Sequence, residues 1–592
     1  MIDVSFLAPP KRWPVRLLGA FRRRMRASEL WLITLSVAVG GAGGLLAVAQ
    51  GRIAHGLQSL LYRIGEADHL SAVGHIPIGR LAWLPFGGLV LGLFTWLVAR
   101  RRSTGLVDVV EANALHGGVL GLADSAIVCV QTIISNGFGA SVGLEAAYAQ
   151  AGGAAASFAG QRLRLRRHDM RILVGAGAGA ALGAAFGAPL TGAFYAFEIV
   201  IGSYTPSAIA PVAAACLTAV LTARGAGGLP YSIEIKTQHA PDAIGYALYS
   251  GLGLISALVG VTIMRLVAAA ERIVRRVAIP ALIRPALGGM LLGGVAMVSP
   301  QVLSAGHGAL HLDLAVGMPI AILAIVLLLK ITASIISLGF GFRGGLFFAS
   351  LFLGSLLGQI YAGLLDLTPL TEKLAPENAA LVGMAALAVS IVGGPLTMSF
   401  LVLEATGDFG VAAAALSAAL IASTVVRERF GYSFSTWRLH LRGETIRSAR
   451  DIGWVKSLTA GKMMRPDPQT VAAATRVEAF RQRFPLGSAT RVLLLDEDAR
   501  YAGVLVTADA FQESTDPQAE VASLAIHKDL TLAPDMDVEA VMRTFEDEGA
   551  DELAVVDAER RVLGLLAEAY VVRRYAGELE RRQLEIYGEA KD

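Results

Sequence analysis

Charge is scarce in this sequence. Asp, Glu, Lys and Arg make up 17% of its 592 residues, against about 25% in an ordinary soluble protein. Hydrophobic residues reach 54% and the mean hydropathy is +0.57, which excludes a soluble multidomain enzyme and a disordered chain. Cysteine is nearly absent. Cys129 and Cys216 each lie in an apolar run, so neither a disulfide framework nor a cysteine metal cluster is available. The net charge of +3 is too small to indicate a nucleic-acid partner. No Ser/His/Asp, metal-ligand or phosphate-loop pattern stands out, which argues against an enzyme. The 10 histidines are scattered, and His307 and His311, four apart, read as loop-end residues rather than a metal pair.

Glycine is plentiful, with 66 residues, and it suits close helix packing in lipid. Apolar stretches follow one another from about residue 30 to residue 426. Spanning the hydrocarbon core takes about 20 residues of helix. Stretches such as 145–160, 188–203 and 396–405 fall short, and Gly and Pro interrupt many others. Such segments predict helices that stop inside the membrane, where free helix ends are tolerated only in protein or against a cavity. They are also a pointer to a transport site.

Residues 1–29 are basic, with Lys11, Arg12, Arg22, Arg23 and Arg24, and are expected on the cytoplasmic side. The apolar run that follows is too long for a signal peptide. Arg100, Arg101 and Arg102, then Arg162, Arg164, Arg166 and Arg167, mark further cytoplasmic loops. A polytopic all-α membrane domain is thus expected over 30–445. Charge becomes dense beyond it. Within 456–592, two similar strand–turn–strand–helix units can be read, at 491–506 and 552–566, the first with a helix near Asp509. They predict a cytoplasmic α/β pair.

The membrane part carries an internal repeat. Gly187-Ala188-Pro189-Leu190-Thr191 precedes Glu198, and Gly393-Gly394-Pro395-Leu396-Thr397 precedes Glu404, with an offset of 206 residues. Gly143-Leu144-Glu145 finds a weaker counterpart in Gly345-Leu346-Phe347, offset by 202. Agreement between the two offsets argues for two related halves.

Three glycine-bracketed segments open apolar helices: Thr104-Gly105-Leu106-Val107, Gly143-Leu144-Glu145 and Gly344-Gly345-Leu346-Phe347. Glycine lets the backbone approach a ligand closely. A helix N-terminus offers unpaired N–H groups and about half a positive charge. Together they make an anion site without a full cation, one an ion can leave as well as enter.

These segments, in this order, resemble the CLC family of chloride channels and chloride/proton exchangers, and the C-terminal pair resembles CBS domains. The resemblance implies two inverted repeats with half-spanning helices, plus a cytoplasmic α/β CBS pair. It also implies chloride or another small anion as the permeant ion, no cofactor, and a homodimer in the bilayer with one pore per subunit. The composition hints at a bacterial inner membrane.

By position, the resemblance makes Glu145 the gating and proton-accepting residue. Thr104, Gly105, Gly143, Leu346, Phe347 and Tyr432 fall on the anion-binding positions. Thr104 stands where the family has serine; it keeps the hydroxyl, which leans to chloride, but reads equally as a plain N-cap. Tyr432 reads alternatively as an interfacial aromatic. Val107, Leu144, Ala146, Ala147 and Ala349 depart from the family motifs. The largest departure is Ile199, at the position of the inner glutamate of proton-coupled exchangers. Glu198 and Glu404 read as residues that hold helix ends, and Lys330, alone in an apolar run, as one that snorkels or pairs.

An adenine nucleotide at the CBS pair would call for a strand-end Thr or Ser and an Asp three residues on. Asp509 is present, but Val506 takes the hydroxyl's place with Thr507 shifted by one. Ala567 and Tyr570 stand in the second unit, so a dimerisation module is favoured. Functionally, Ile199 points to a passive chloride channel, and retained Glu145 leaves an exchanger open. A cation channel would need more pore acids than the membrane part offers.

Overall fold

Proline, small residues and borrowed carboxylates set where the helices of this protein begin and how closely they cross. The computed structural model describes residues 29–65, 68–102, 105–228, 241–277, 279–369, 374–434, 436–437 and 458–575. The basic segment 1–28 and Thr104 lie outside them. The chain forms two compact units, 1–451 and 452–592.

The first unit is helical. Its first half contains α1 (Glu29–Tyr62), α2 (Trp83–Arg101), α3 (Val109–Leu115), α4 (Leu122–Gly137), α5 (Glu145–Leu163), α6 (Arg167–Phe186), α7 (Pro189–Tyr195) and α8 (Pro206–Gly225). A π-helical turn, Ala196–Ile201, extends α7. The second half contains α9 (Ala243–Arg276), α10 (Arg284–Val298), α11 (His307–Val316), α12 (Ile320–Gly339), α13 (Phe347–Leu365), α14 (Pro376–Val392), α15 (Pro395–Thr406) and α16 (Phe409–Arg429). Among the described residues, 8 helices are long and apolar enough to cross a membrane. The short runs foreseen at 188–203 and 396–405 are α7 with its π-helical turn, and α15.

The repeat is a set of physical contacts. Neither α7 nor α15 has a side-chain cap of its own, and each starts with proline. Their free amides take carboxylates from the opposite half. Glu404 accepts from the Leu190 and Thr191 amides at 2.7 and 2.8 Å and from the Thr191 hydroxyl at 2.6 Å. Glu198 accepts from the Leu396 and Thr397 amides at 3.1 and 2.8 Å and from the Thr397 hydroxyl at 2.7 Å. Each carboxylate thus meets a helix N-terminus, where charge-assisted bonds and the helix dipole both favour it. Phe194 and Phe400, also 206 apart, stack between the two helices at 4.3 Å and 7°.

Small residues let paired helices close up. Gly152 on α5 faces Gly177 on α6, and Gly354 on α13 faces Gly383 on α14; a Cβ on any of the four would strike the facing backbone. These glycines keep the offsets of the motifs, 202 and 206. In the first half, Gly40 and Gly44 of α1 lie against Ala215 and Ala219 of α8. The two helices therefore run parallel and end on the same side. Arg52 of α1 donates to the Ala226 and Gly227 carbonyls beyond the end of α8, at 2.8 and 2.9 Å.

The second unit is a duplicated α/β fold. One sheet has the order β2-β3-β4 (Thr470–Ala472, Arg491–Leu495, Tyr501–Val506). The other has the order β1-β6-β5 (Arg465–Pro466, Val562–Ala567, Glu552–Val556). Helices α17 (Val477–Arg483) and α18 (Val538–Glu548) cover them. Val477 and Val538, Arg491 and Glu552, and Tyr501 and Val562 are each 61 residues apart. Both hairpins shift register at the equivalent place, Leu494/Leu495 and Val555/Val556. The helix foreseen near Asp509 is a 3-10 turn, Thr507–Phe511: five residues there tighten rather than extend.

The two copies exchange their leading segments. Ala460 donates to Met536 at 2.9 Å, and Val521, its counterpart, donates to Thr475 at 2.8 Å. Strand β1 joins the sheet of the second copy. The segment around Ile526 pairs with Val504 of the first.

Candidate anion site

Two helices of the first unit, one from each half, begin side by side. Gly143 donates to the Gly345 carbonyl at 2.9 Å, and Gly345 donates to the Gly143 carbonyl at 3.2 Å. This antiparallel bridge fixes the starts of α5 and α13 against each other. Both glycines lie against the Glu145 carboxylate: a Cβ on Gly143 would collide with it, and one on Gly345 would touch its Oε2 at 3.4 Å.

The Glu145 side chain lies in this cradle, 4% exposed. Its carboxylate faces the backbone N–H groups of Glu145 itself and of Phe348. Oε2 is buried without a hydrogen-bond partner. An acceptor rich in charge thus sits among amide donors, in a place a small dehydrated anion could take.

Leu346 and Phe347, at the start of α13, are buried. Phe347 packs on Phe186 at 5.3 Å and Tyr195 at 6.3 Å, and Phe348 stacks on Phe186 at 6.1 Å. Gly105 adjoins open space. Beyond it, Asp108 caps α3 by accepting from Glu111 N at 2.8 Å. Gln150 of α5 ties that segment down: its Oε1 accepts from Val109 N at 2.9 Å, and its Nε2 donates to Val107 O at 3.1 Å.

Ile199 lies in the π-helical turn, and its Cδ1 is 3.5 Å from where a Cβ on Gly393 would stand. Ser433 is the next neighbour of that point, at 3.9 Å. Tyr432 packs with Phe430 at 6.1 Å and Trp437 at 5.4 Å. In the second unit Thr507 is buried, with no partner for its Oγ1. Asp509 accepts from Gln512 Nε2 at 3.0 Å.

Sequence reasoning missed the polar scaffold behind the cradle. Asn136 Nδ2 donates to the Val142 carbonyl at 2.8 Å and to Ser304 Oγ at 3.1 Å. Gln58 Nε2 donates to the Asn136 carbonyl at 2.9 Å. Lys330 does not snorkel. It is fully buried, and Nζ donates to the Val302 and Ser304 carbonyls at 3.0 and 2.8 Å. It stands within electrostatic reach of Glu145, as does Tyr195. Only the isolation of Lys330 in an apolar run was visible beforehand. A cavity of about 890 Å³ leads from the ends of α1 and α8 to Leu144 and Tyr148, beside Glu145.

Comparison with known proteins agrees with this geometry. The model of a family described as "Voltage gated chloride channel" matches residues 87–427, and a CBS domain model matches residues 521–577. The chain is 29% identical over 395 residues to a putative chloride channel protein ClcB-like of Ralstonia nicotianae, covering 64% of this chain and 90% of that protein. It is 27% identical over 402 residues to the voltage-gated ClC-type chloride channel ClcB of Escherichia coli O157:H7, covering 66% and 95%. Among solved structures, a slow cyanobacterial Cl-/H+ antiporter shares the fold with a TM-score of 0.61 at 23% identity, over 69% of this chain and 97% of that one. A eukaryotic CLC transporter does so with a TM-score of 0.57 at 16% identity, over 93% and 98%. With a family model covering more than half its length, this chain belongs to the voltage-gated chloride channel (CLC) family of membrane anion transport proteins and carries a C-terminal CBS domain.

Proposed function

We propose that the chain is a passive chloride channel whose gate is the protonatable side chain of Glu145. The observation that carries this reading is the Glu145 carboxylate lying over Gly143 and Gly345, among backbone amides, with Oε2 unpartnered. Ionised, the carboxylate occupies the anion's seat. Protonated, it loses its attraction for the amides, moves off and lets chloride in. An ionised acid within a membrane costs a few kcal/mol, and occupying an amide-lined seat offsets that cost. The N–H groups of Leu346 and Phe347, with the backbone at Gly105 and Gly143, complete the path. The hydroxyls of Thr104 and Tyr432 hold chloride at its inner end, and Thr104 favours chloride over nitrate.

Passive conduction is favoured by Ile199. Isoleucine carries no proton, and the adjacent Glu198 is committed to the start of α15. A second reading, chloride/proton exchange, rests on Glu145 itself, which can take up a proton from the cavity side. We further assign the chain to a bacterial inner membrane as a homodimer with one pore per subunit, its N-terminus and C-terminal unit cytoplasmic. The C-terminal unit serves dimerisation. At Thr507 and Asp509 the geometry offers a nucleotide little, since Asp509 is already turned to Gln512.

Flux in liposomes tests the proposal, with chloride and proton movement recorded together under a set voltage. Chloride should move down its gradient without moving protons. Uphill proton transport driven by chloride would replace the channel with the exchanger. Glu145→Gln should conduct at all pH values and lose the acid-dependent opening that the Glu145 gate confers; a variant whose opening stayed fully acid-dependent would refute the gate assignment.

A further inference from the structure

The cavity that reaches Leu144 and Tyr148, beside Glu145, carries titratable groups that the gate does not use. Four of its lining residues are histidines: His55 near the end of α1, His69 in the loop that follows, and His307 and His311 on α11. They come from three separate stretches of sequence and converge on one space. The rings follow one another inward. His55 lies 5.9 Å from His69, His69 lies 6.1 Å from His307, and His307 lies 3.7 Å from the ring of Phe348, centroid to centroid. Phe348 is the residue whose backbone N–H faces the Glu145 carboxylate. Exposure falls along the same line, from half-buried His55 and His69 to buried His307, while His311, one turn along α11 from His307, is exposed. A ladder of imidazoles therefore leads from solvent to the gate.

The surrounding charges decide what the ladder can do. From α1 comes Arg52, already bonded to two carbonyls. From α12 comes Lys330, likewise bonded to two carbonyls. Arg224 stands in the last turn of α8. The acids are Asp68 in the loop, which accepts from Gly65 N at 3.2 Å, and Asp313 on α11, which accepts from Gln301 Nε2 at 2.8 Å. On α5 stand Glu145 itself and Tyr148, whose hydroxyl faces Gly51. Three cationic side chains stand against three acids, so each proton taken up by a histidine tips the cavity towards positive charge. Among the described residues no group of three or more His, Cys, Asp or Glu is placed to hold a metal ion.

We infer that the histidines at the outer part of this cavity, His55, His69 and His311, form a protonatable vestibule that gathers small inorganic anions at the mouth of the pore, ahead of the gate and independently of it. This rests on the transport reading above and adds a second, separately titrating site to it. An imidazole titrates near pH 6.5 when unperturbed. Burial and the neighbouring His55 and His311 hold His69 below that range, with Asp68 pulling the other way. A charged cleft with low-dielectric walls concentrates counter-ions and speeds their entry by about 10-fold or more.

The test uses the full chain in planar bilayers, where the pH of each side is set independently, on a Glu145→Gln background that removes the gate. Between about pH 7.5 and about pH 5.5 on the cavity side, chloride current entering from that side should rise at least about threefold, spanning the histidine range. The chloride concentration for half-saturation should fall by a similar factor. Acidifying the other side should do neither. His55→Gln combined with His69→Gln should remove most of the rise, and substitution of the exposed His311, His311→Gln, should remove part of it. Calorimetric chloride binding to the purified Glu145→Gln chain needs no histidine substitution and should tighten at least about threefold over the same interval. A current and an affinity indifferent to cavity-side pH would overturn the vestibule, as would full retention of the rise in both histidine variants. Chloride conduction missing from the unsubstituted chain would overturn the transport reading as well, and so is distinguishable from failure of the vestibule alone.

Discussion

Lys330 shows how much depends on single side chains in the membrane unit. It is a fully buried ammonium with two carbonyl acceptors, Val302 and Ser304. Ser304 has a positive φ of 53°, so the lysine also holds a strained turn in place. Lys330→Met keeps the length and removes both bonds. Leaving buried carbonyls unpaired costs about 1–3 kcal/mol each. The variant is therefore expected to unfold at lower temperature in detergent and to pass chloride more slowly, because the scaffold at Ser304, Asn136 and Gln58 loosens behind the cradle. Unchanged melting would show that water replaces the ammonium there. In the second unit, Tyr501 is a comparable anchor. Its hydroxyl donates to the His527 carbonyl at 2.8 Å, and burial pushes its pKa up to about 12. A phenol raised in the folded state contributes stability below its unfolded value of about 10 that is lost as pH climbs towards the folded value. Alkaline unfolding of the C-terminal unit should therefore begin above about pH 10. Tyr501→Phe should blunt that alkaline loss while costing about 1 kcal/mol at neutral pH through the missing bond; chemical denaturation at the two pH values would measure both.

Among elements, the exchanged carboxylates of α7 and α15 make a symmetric prediction. Glu198→Gln and Glu404→Gln each keep one oxygen acceptor and lose the charge that meets a helix N-terminus. Each should destabilise the membrane unit by about 1–3 kcal/mol, and the two losses should be similar, because the partners are equivalent: Leu396 and Thr397 in one case, Leu190 and Thr191 in the other. A large effect from one and none from the other, in thermal unfolding, would mean that the halves are not held reciprocally. This symmetry was legible in the sequence, since identical Pro-Leu-Thr strings at a fixed offset must serve the same local geometry. The glycine-led starts of α5 and α13 were legible for the same reason. The histidine ladder was not. His55 and His307 are joined only by tertiary packing across more than half of the membrane unit, and no periodicity records such a meeting. Nor was the purpose of Lys330, whose acceptors are main-chain carbonyls that every residue possesses. The C-terminal hairpins could be read from their alternating apolar strands. The exchange of leading segments could not, because a backbone hydrogen bond such as Ala460 to Met536 leaves no mark on residue type.

At the scale of the whole molecule, every described group of the anion cradle comes from the first unit. Gly143, Glu145, Gly345 and Phe348 belong to it, and so do the carboxylates that brace α7 and α15. The second unit closes its own core with its own exchanged segments. The curated relatives point the same way: an alignment that uses 66% of this chain already accounts for 95% of the Escherichia coli relative. A chain ending at residue 457 should therefore still insert, and should retain both chloride flux and its response to Glu145→Gln. What it should lose is whatever the C-terminal unit adds to assembly, seen as a shift towards smaller species by light scattering in detergent at low protein concentration. If instead the shortened chain folds and keeps the assembly of the full chain but conducts nothing, the C-terminal unit must act on the path itself. The cradle of α5 and α13 would then not be sufficient for conduction.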